Sequence, residues 1–382
     1  MKFGKPTMNF KPPKLSLNLS GGENILSISI RKEETLVVAG KLKKNMFVPK
    51  RMLRFDTIAY AIAEQNPEEL AAFFLRVFQE IGSSNYQVNI SLPASLTPLD
   101  CFESSIKNPD DRQNEILSNY MRQLEYDDEN ALVVNEIMAI PIDESGTRAF
   151  ISSSCTERAI VELLIAGADI ANMDIRSIEP EAVGLFRYLG LEYGSTCVAD
   201  VEEDCLVLTT FVPDKGIFSL QKPSLGYMEI LDGVDGAYRF YRHLSIRDEY
   251  ELDMTEDHGA SETPVFIIGT ARKELTDKFR TECGSHQMQK RIGTMPLSLM
   301  IDSSDFDDAD IQQFAAPLGL ALKSIYERME QNYEPERIME VDADDELYGG
   351  NGDRAEILPE NNEQRTKVAQ RMQRFFGPSH SA

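Results

Sequence analysis

The sequence predicts a two-lobed α/β protein, and three observations predict it. At 382 residues the chain is long enough for two domains, each with a core of its own. Strand-like and helix-like segments alternate along the body, as layered α/β folds require. A β-hairpin followed by α/β material occurs twice, starting near Ile25 and near Cys197, with no shorter period. Two such lobes make a cleft between them.

Residues 1–22 read as a disordered basic lead, with Pro-Pro, Gly-Gly, four lysines and no acid. Ile25–Ile30 and Thr35–Gly40 are short strands around the polar turn Arg31-Lys32-Glu33-Glu34. A helix follows with clear start signals: Asn66 as N-cap, Pro67 at the first helical position and Glu69 completing a capping box. Leu70, Phe73, Phe74, Val77, Phe78 and Ile81 recur at three and four, so one broad face is buried, and Gly82 stops the helix. Val88–Leu92 is a buried strand running into Pro93-Ala94-Ser95. A helix over Arg112–Leu124 and strands near Ala131–Ala139 and Arg148–Ser153 come next. Thr156 is expected to cap a helix Glu157–Ala166 stopped by Gly167, and Ile178–Leu189 reads as a helix with Pro180 in its first turn.

Then the opening pattern returns. Cys197–Val201 and Cys205–Val212 flank the acidic turn Glu202-Glu203-Asp204, and Pro213-Asp214-Lys215-Gly216 leads to a third strand, Ile217–Leu220. A helix around Tyr227–His243, a strand Val265–Ile268, a helix Glu274–Glu282 and a terminal helix Ile311–Met329 complete the body. From about Asn332 the chain reads as acidic linker, ending in one basic amphipathic segment. There Val368, Met372, Phe375 and Phe376 recur at helical spacing among Arg365, Lys367, Arg371 and Arg374, the pattern of a frayed tail helix or of a docking peptide for a partner or membrane surface.

Composition narrows the function. A formal net charge of −24 argues against a nucleic-acid binder and against broad adhesion to anionic lipid. No run of eighteen apolar residues exists, and the amino terminus lacks the apolar core of a signal peptide, so a cytoplasmic protein without a transmembrane segment is expected. The 5 cysteines, Cys101, Cys155, Cys197, Cys205 and Cys283, show no C-x-x-C pair and read as reduced, mostly buried thiols. The 4 histidines, His243, His258, His286 and His380, are scattered, so neither a metal site nor a Ser-His-Asp grouping is expected.

Several strings, in order, resemble the PilM family of type IV pilus assembly proteins within the actin-like ATPase superfamily. Val88-Asn89-Ile90-Ser91-Leu92-Pro93-Ala94-Ser95-Leu96 is similar to the family's "valPaslv" segment. Arg148–Ser153, Glu157–Gly167 and Asp174-Ile175-Arg176-Ser177-Ile178-Glu179-Pro180-Glu181-Ala182 are similar to its "vlvvaa…l…aGl…idiepeAla" stretch. Phe314-Ala315-Ala316-Pro317-Leu318-Gly319-Leu320-Ala321-Leu322 resembles its closing "fa.aiGLALr" helix. The resemblance covers roughly residues 22 to 330. It implies an actin-like fold of duplicated ribonuclease H-like lobes: a first lobe over 23–190 with a subdomain inserted at about 95–146, a second over 191–330, and a tail over 331–382.

The family's nucleotide hairpins, of the form D-I-G-x-x-x, are altered here. In the first, Ser29 stands for the aspartate and Arg31 for the glycine; Arg31 and Lys32 there either attract a phosphate or form a solvated hairpin tip. In the second, Asp200 matches the aspartate, or is a turn residue after a strand, while Glu202 replaces the glycine and puts acid where an anion would bind. The adenosine-side glycine turn reduces to Ile268-Gly269-Thr270-Ala271, and the insert after the third strand of the second lobe is curtailed, implying a reduced lid subdomain. The resemblance therefore implies a scaffold without ATPase activity, with no cofactor. ATP with magnesium enters only if the chain is an ATP-binding switch. It also implies a membrane-anchored PilN-like partner, bound through a cytoplasmic peptide in a groove beside the inserted subdomain. Other pilus or type II secretion platform components are implied too, and a peripheral place at the inner membrane.

Overall fold

The structure, a computed structural model, describes residues 23–43, 45–142, 148–190, 196–201, 205–212, 216–223, 265–269, 292–293 and 295–331. The basic lead, Glu202 and its turn, the Pro213–Lys215 turn, the region of the expected lid, the helices over Tyr227–His243 and Glu274–Glu282, and the tail with Val368, Met372, Phe375 and Phe376 lie outside the described residues.

The first lobe opens with β1 (Glu23–Ile30), β2 (Glu34–Lys43) and β3 (Met46–Asp56), followed by the short α1 (Ala59–Ala63), then α2 (Pro67–Ile81) and β4 (Gln87–Leu92). Asn66 caps α2 by accepting a hydrogen bond from the Glu69 N–H, and Gly82 ends it at φ 72, where a residue without Cβ is at ease. A second group comprises β5 (Leu99–Ser104), α3 (Pro109–Leu124), β6 (Leu132–Pro141) and β7 (Ala149–Glu157). The lobe closes with α4 (Arg158–Ile170), β8 (Ile175–Pro180) and α5 (Glu181–Leu189). The second lobe contributes β9 (Thr196–Val201), β10 (Cys205–Val212), β11 (Gly216–Pro223), β12 (Val265–Ile268) and β13 (Ile292–Gly293), and the body ends with α6 (Asp308–Gln313), α7 (Ala315–Ala321) and α8 (Lys323–Gln331).

Sheet order shows the duplication directly. The first lobe's sheet runs β3-β2-β1-β4-β8 and the second lobe's runs β11-β10-β9-β12-β13. In each, three antiparallel strands are followed by two parallel ones. A separate sheet, β5-β7-β6, carries α3 on its face, with Tyr120 of α3 donating to the Ser153 carbonyl at 2.8 Å. This small sheet extends to Glu157, past the boundary expected at about Gly146, because β7 is its central strand.

Five expectations change. The strand β3 has no counterpart in the sequence reading, since Pro49, Lys50, Arg51 and Arg54 interrupt its pattern; the register shifts where Pro49 meets Gly40. The helix expected from Ile178 starts at Glu181 instead, because Ile175–Pro180 pairs with β4 as a strand and Pro180 becomes the N-cap. Gly167 does not stop α4 but lies inside it, where a Cβ would sit 2.7 Å from Leu70 Cβ on α2; Glu157, not Thr156, is the N-cap residue. The terminal helix is broken into three, at Phe314 and Leu322. Pro317 has no N–H for the Gln313 carbonyl and its ring crowds that carbonyl, so one continuous helix cannot form.

Helices α5 and α7 cross against each other at the seam between the lobes. A Cβ on Gly319 would stand 1.8 Å from the Gly184 carbonyl oxygen, and one on Gly184 would stand 2.5 Å from that of Ala316. Only residues without side chains let two helix backbones approach this closely. The main hydrophobic core is continuous through this crossing, joining Ile25, Leu36 and Val38 of the first sheet with Val198, Leu208 and Ile268 of the second.

Candidate functional site

Strand β1 ends at the seam, and its last residues set the chemistry there. Ser29 and Arg31 are both buried, Arg31 at 2% exposure. The turn after β1 holds Arg31 through its own N–H, which donates to the Glu34 carbonyl at 3.0 Å. Its side chain then reaches away from solvent. The Arg31 Nε donates to Glu181 Oε1 at 2.7 Å, and Ser29 Oγ donates to the same oxygen at 2.9 Å. Glu181 opens α5 directly after β8, so the parallel pairing of β4 with β8 delivers it to this point.

The guanidinium also crosses to the second lobe. Arg31 Nη2 lies 3.4 Å from Asp200 Oδ2 on β9, and Arg31 Nη1 lies 3.8 Å from Glu34 Oε1. Asp200 is 6% exposed and sits within β9, registered opposite Val207 and beside Ile268. The reading of Arg31 as a solvated hairpin tip is therefore overturned: it is the buried cation between the two hairpins. Lys32, the next residue, is exposed and borders a separate groove. Gly269 backs the cluster at φ 98; a Cβ there would meet Val201 O at 2.3 Å and Asp200 Oδ1 at 2.5 Å. Its role is to let the end of β12 close onto Asp200. The structure thus brings Ser29, Arg31, Asp200 and Gly269 together.

One cation faces more acid than it can pair. Burial works against the charge of Arg31, but Asp200, Glu181 and Glu34 outweigh burial and hold it firmly protonated. Asp200 has the poorer share of the guanidinium, at 3.4 Å against 2.7 Å for Glu181. Burial pushes its carboxyl up, Arg31 opposes that, and Glu181, Glu34 and Glu33 push it further, to about 7. Among the described residues, Asp200 Oδ1 and Arg31 Nη2 are buried without a hydrogen-bond partner. The cavity beside them, edged by Thr97, Glu181, Leu185, Asp200 and Thr209, has a volume of about 10 Å³. That is room for about one water molecule.

A larger opening lies where the first lobe meets the small sheet. Its volume is about 270 Å³, with Ala59, Ile62, Leu96, Ile160 and Leu163 as its apolar lining. Lys32, Gln65, Ser95 and Glu157 supply polar edges. Exposed Tyr60 lies on the α1 helix that forms one wall. Pro93–Leu96, leaving β4, and Glu157, ending β7, place this groove beside the inserted subdomain.

Two parts of the site carry no signal of their own in the sequence. Nothing local to Glu181 says that it faces Arg31; that follows from the β4–β8 pairing. The groove residues form no motif, because they come from four separate segments and are mostly ordinary apolar positions.

No model of a known protein family matches the chain, and no curated protein matches it. Solved structures do. A PilM-PilN type IV pilus biogenesis complex aligns at TM-score 0.56 and 14% identity, covering 79% of this chain and 98% of the other. The cytoplasmic domain of EpsL, an inner-membrane component of the type II secretion system of Vibrio cholerae, aligns at TM-score 0.41 and 8% identity, covering 79% and 95%. A Bacteroides thetaiotaomicron protein with an actin-like ATPase fold aligns at TM-score 0.39 and 11% identity, covering 78% and 96%. The last two alignments are too loose to support any conclusion about this chain. The duplicated sheet order and the first similarity together show a two-lobed actin-like fold.

Proposed function

We propose that this chain is a cytoplasmic PilM-like scaffold of a type IV pilus or type II secretion platform, without ATPase activity. In this reading it binds the cytoplasmic peptide of a membrane-anchored PilN-like partner and is held at the inner membrane through that partner. The observation that carries it is the Arg31 guanidinium lying between the two hairpins, where the fold's nucleotide phosphates would need glycine and open space. The cavity beside Asp200 and Glu181, about 10 Å³, is far smaller than a triphosphate, which supports this reading. The carboxylates Asp200, Glu181 and Glu34 around Arg31 also disfavour a bound anion.

The groove supports the partner half of the reading. It is apolar at its floor, polar at its edges, and of a size to take the side chains of a short peptide. Calorimetric titration tests both halves in one instrument. Millimolar ATP with magnesium should give no saturable heat. A peptide spanning the cytoplasmic segment of a PilN-like partner should bind wild type, and Ile160→Asp should weaken it at least tenfold. Saturable ATP binding that Asp200→Ala abolishes would establish a nucleotide switch instead. Peptide binding indifferent to Ile160→Asp would remove the groove from the account.

A further inference from the structure

The acids at the seam are not equally provided for. Glu34 has Arg54 at 3.0 Å. Glu181 receives the Arg31 Nε at 2.7 Å and the Ser29 Oγ at 2.9 Å. Asp200 comes from the second lobe and is less well served than these two. Its cation, Arg31 Nη2, stands 3.4 Å from Oδ2, and Oδ1 has no hydrogen-bond partner among the described residues.

The elements packed round Asp200 supply no second cation among the described residues. Arg31 and half-buried Glu33 face it from the turn after β1, Glu34 from β2 and Glu181 from α5. Strands β10 and β12 present Val207, Thr209 and Ile268, none of which titrates. Water is short as well, since the adjoining cavity of about 10 Å³ holds about one molecule. A buried carboxylate with neither hydration nor a full partner takes a proton instead. Burial first, and the neighbouring acids after it, push the Asp200 carboxyl up from 3.8 to about 7 against the pull of Arg31. Neutralising Asp200 leaves Arg31 still held by Glu181 and Glu34. An opened seam, by contrast, lets water reach the carboxylate and removes the reason for the proton.

We propose that closure of the seam around Asp200 takes up a proton, making this junction of the lobes a pH-sensitive joint. It is tight when Asp200 is neutral and prone to local opening when Asp200 is ionised. The opening is local because the core shared through α5 and α7 holds the lobes together in both forms. Opening returns the carboxyl from about 7 to an ordinary 3.8. It is therefore favoured progressively as pH rises between those values, and levels off above the higher one. From pH 6 to pH 8 the opening equilibrium should rise about tenfold.

Amide hydrogen exchange on the full chain tests this, read as protection factors so that the intrinsic acceleration of exchange by base cancels. In wild type, protection in β9 and in the first turn of α5 should fall about tenfold from pH 6 to pH 8. Protection in β4, whose apolar side chains belong to the first lobe's other core, should stay constant. In Asp200→Asn, which carries an uncharged group of the same shape, protection at the seam should not change with pH. Constant protection in wild-type β9 and α5 overturns the proposal. So does an equal fall in Asp200→Asn, which places the titration elsewhere. Infrared spectroscopy of wild type keeps the test independent of how the variant folds. A protonated-carboxyl band should disappear with a midpoint near pH 7, well above the exposed acids. A titration with no component in that range overturns the proposal too.

Discussion

Removing the Arg31 guanidinium leaves Glu181 and Asp200 buried without their shared cation, and leaves Glu34 with Arg54 alone. Breaking a buried ion network by deleting one partner typically costs about 3–5 kcal/mol, because the remaining charges stay desolvated. Arg31→Ala should therefore lower unfolding free energy by about that amount in denaturant titration. Arg31→Ala combined with Asp200→Asn should recover part of it, since one uncompensated carboxylate is gone. A loss below about 1 kcal/mol would mean that the cluster is solvated rather than buried. How much of the cluster is legible in the sequence differs residue by residue. Ser29, Arg31 and Asp200 stand out because they break or keep a glycine-and-aspartate pattern, and they do meet at the seam. The direction of Arg31 is not legible, since a turn sequence of Arg-Lys-Glu-Glu gives no hint that its first side chain turns inward.

At the scale of elements, Glu179 ties three of them together. It sits on β8, pairs with Arg187 of α5 at 2.5 Å, and also bonds Lys323 of α8. Burial opposes its charge, but Arg187 and Lys323 outweigh burial and lower its pKa from 4.5 to about 2. A depressed folded pKa stabilises above the unfolded value and loses that contribution as pH falls from 4.5 towards 2. The contribution at neutral pH is at most about 3 kcal/mol. Glu179→Gln should accordingly be less stable than wild type above about pH 5, and the gap should close progressively below pH 4.5 until the two converge at about pH 2 and below, when thermal melts are followed by circular dichroism. Parallel curves across that range would show that Glu179 titrates normally. Elements themselves are legible where local signals are complete, as at α2, with Asn66, Pro67, Glu69 and Gly82 all in their expected roles. They are not legible where long-range pairing decides. Ile175–Pro180 is a strand only because β4 lies beside it, and Gly167 is kept small by Leu70 of α2 rather than by any turn.

Packing across the seam predicts that the described body unfolds as one cooperative unit despite its two lobes. Its main core draws Ile25 and Val38 from β1 and β2, Leu185 and Phe186 from α5, Val198 and Leu208 from β9 and β10, and Leu318 from α7. Opening either lobe alone would expose this shared surface, at about 25 cal/mol for each square ångström. The α5–α7 crossing adds a geometric tie, because Gly184 and Gly319 bring the two helix backbones into direct contact. Even the small sheet is bound in, with Ser152 Oγ accepting from the Ile217 N–H of β11 at 2.8 Å. Calorimetric unfolding should hence show a single transition with equal calorimetric and van't Hoff enthalpies. Arg31→Ala should shift that transition down without splitting it. Two resolved transitions in wild type would mean that the lobes unfold separately and that the shared core contributes little. A single wild-type transition that Arg31→Ala splits would instead make the guanidinium the tie between them. That outcome would assign the coupling to an ion pair rather than to apolar packing. The packing argument predicts the opposite, since the core crosses the seam through side chains of both sheets and both helices, while among the described residues Arg31 meets a single carboxylate, Asp200, on the far side.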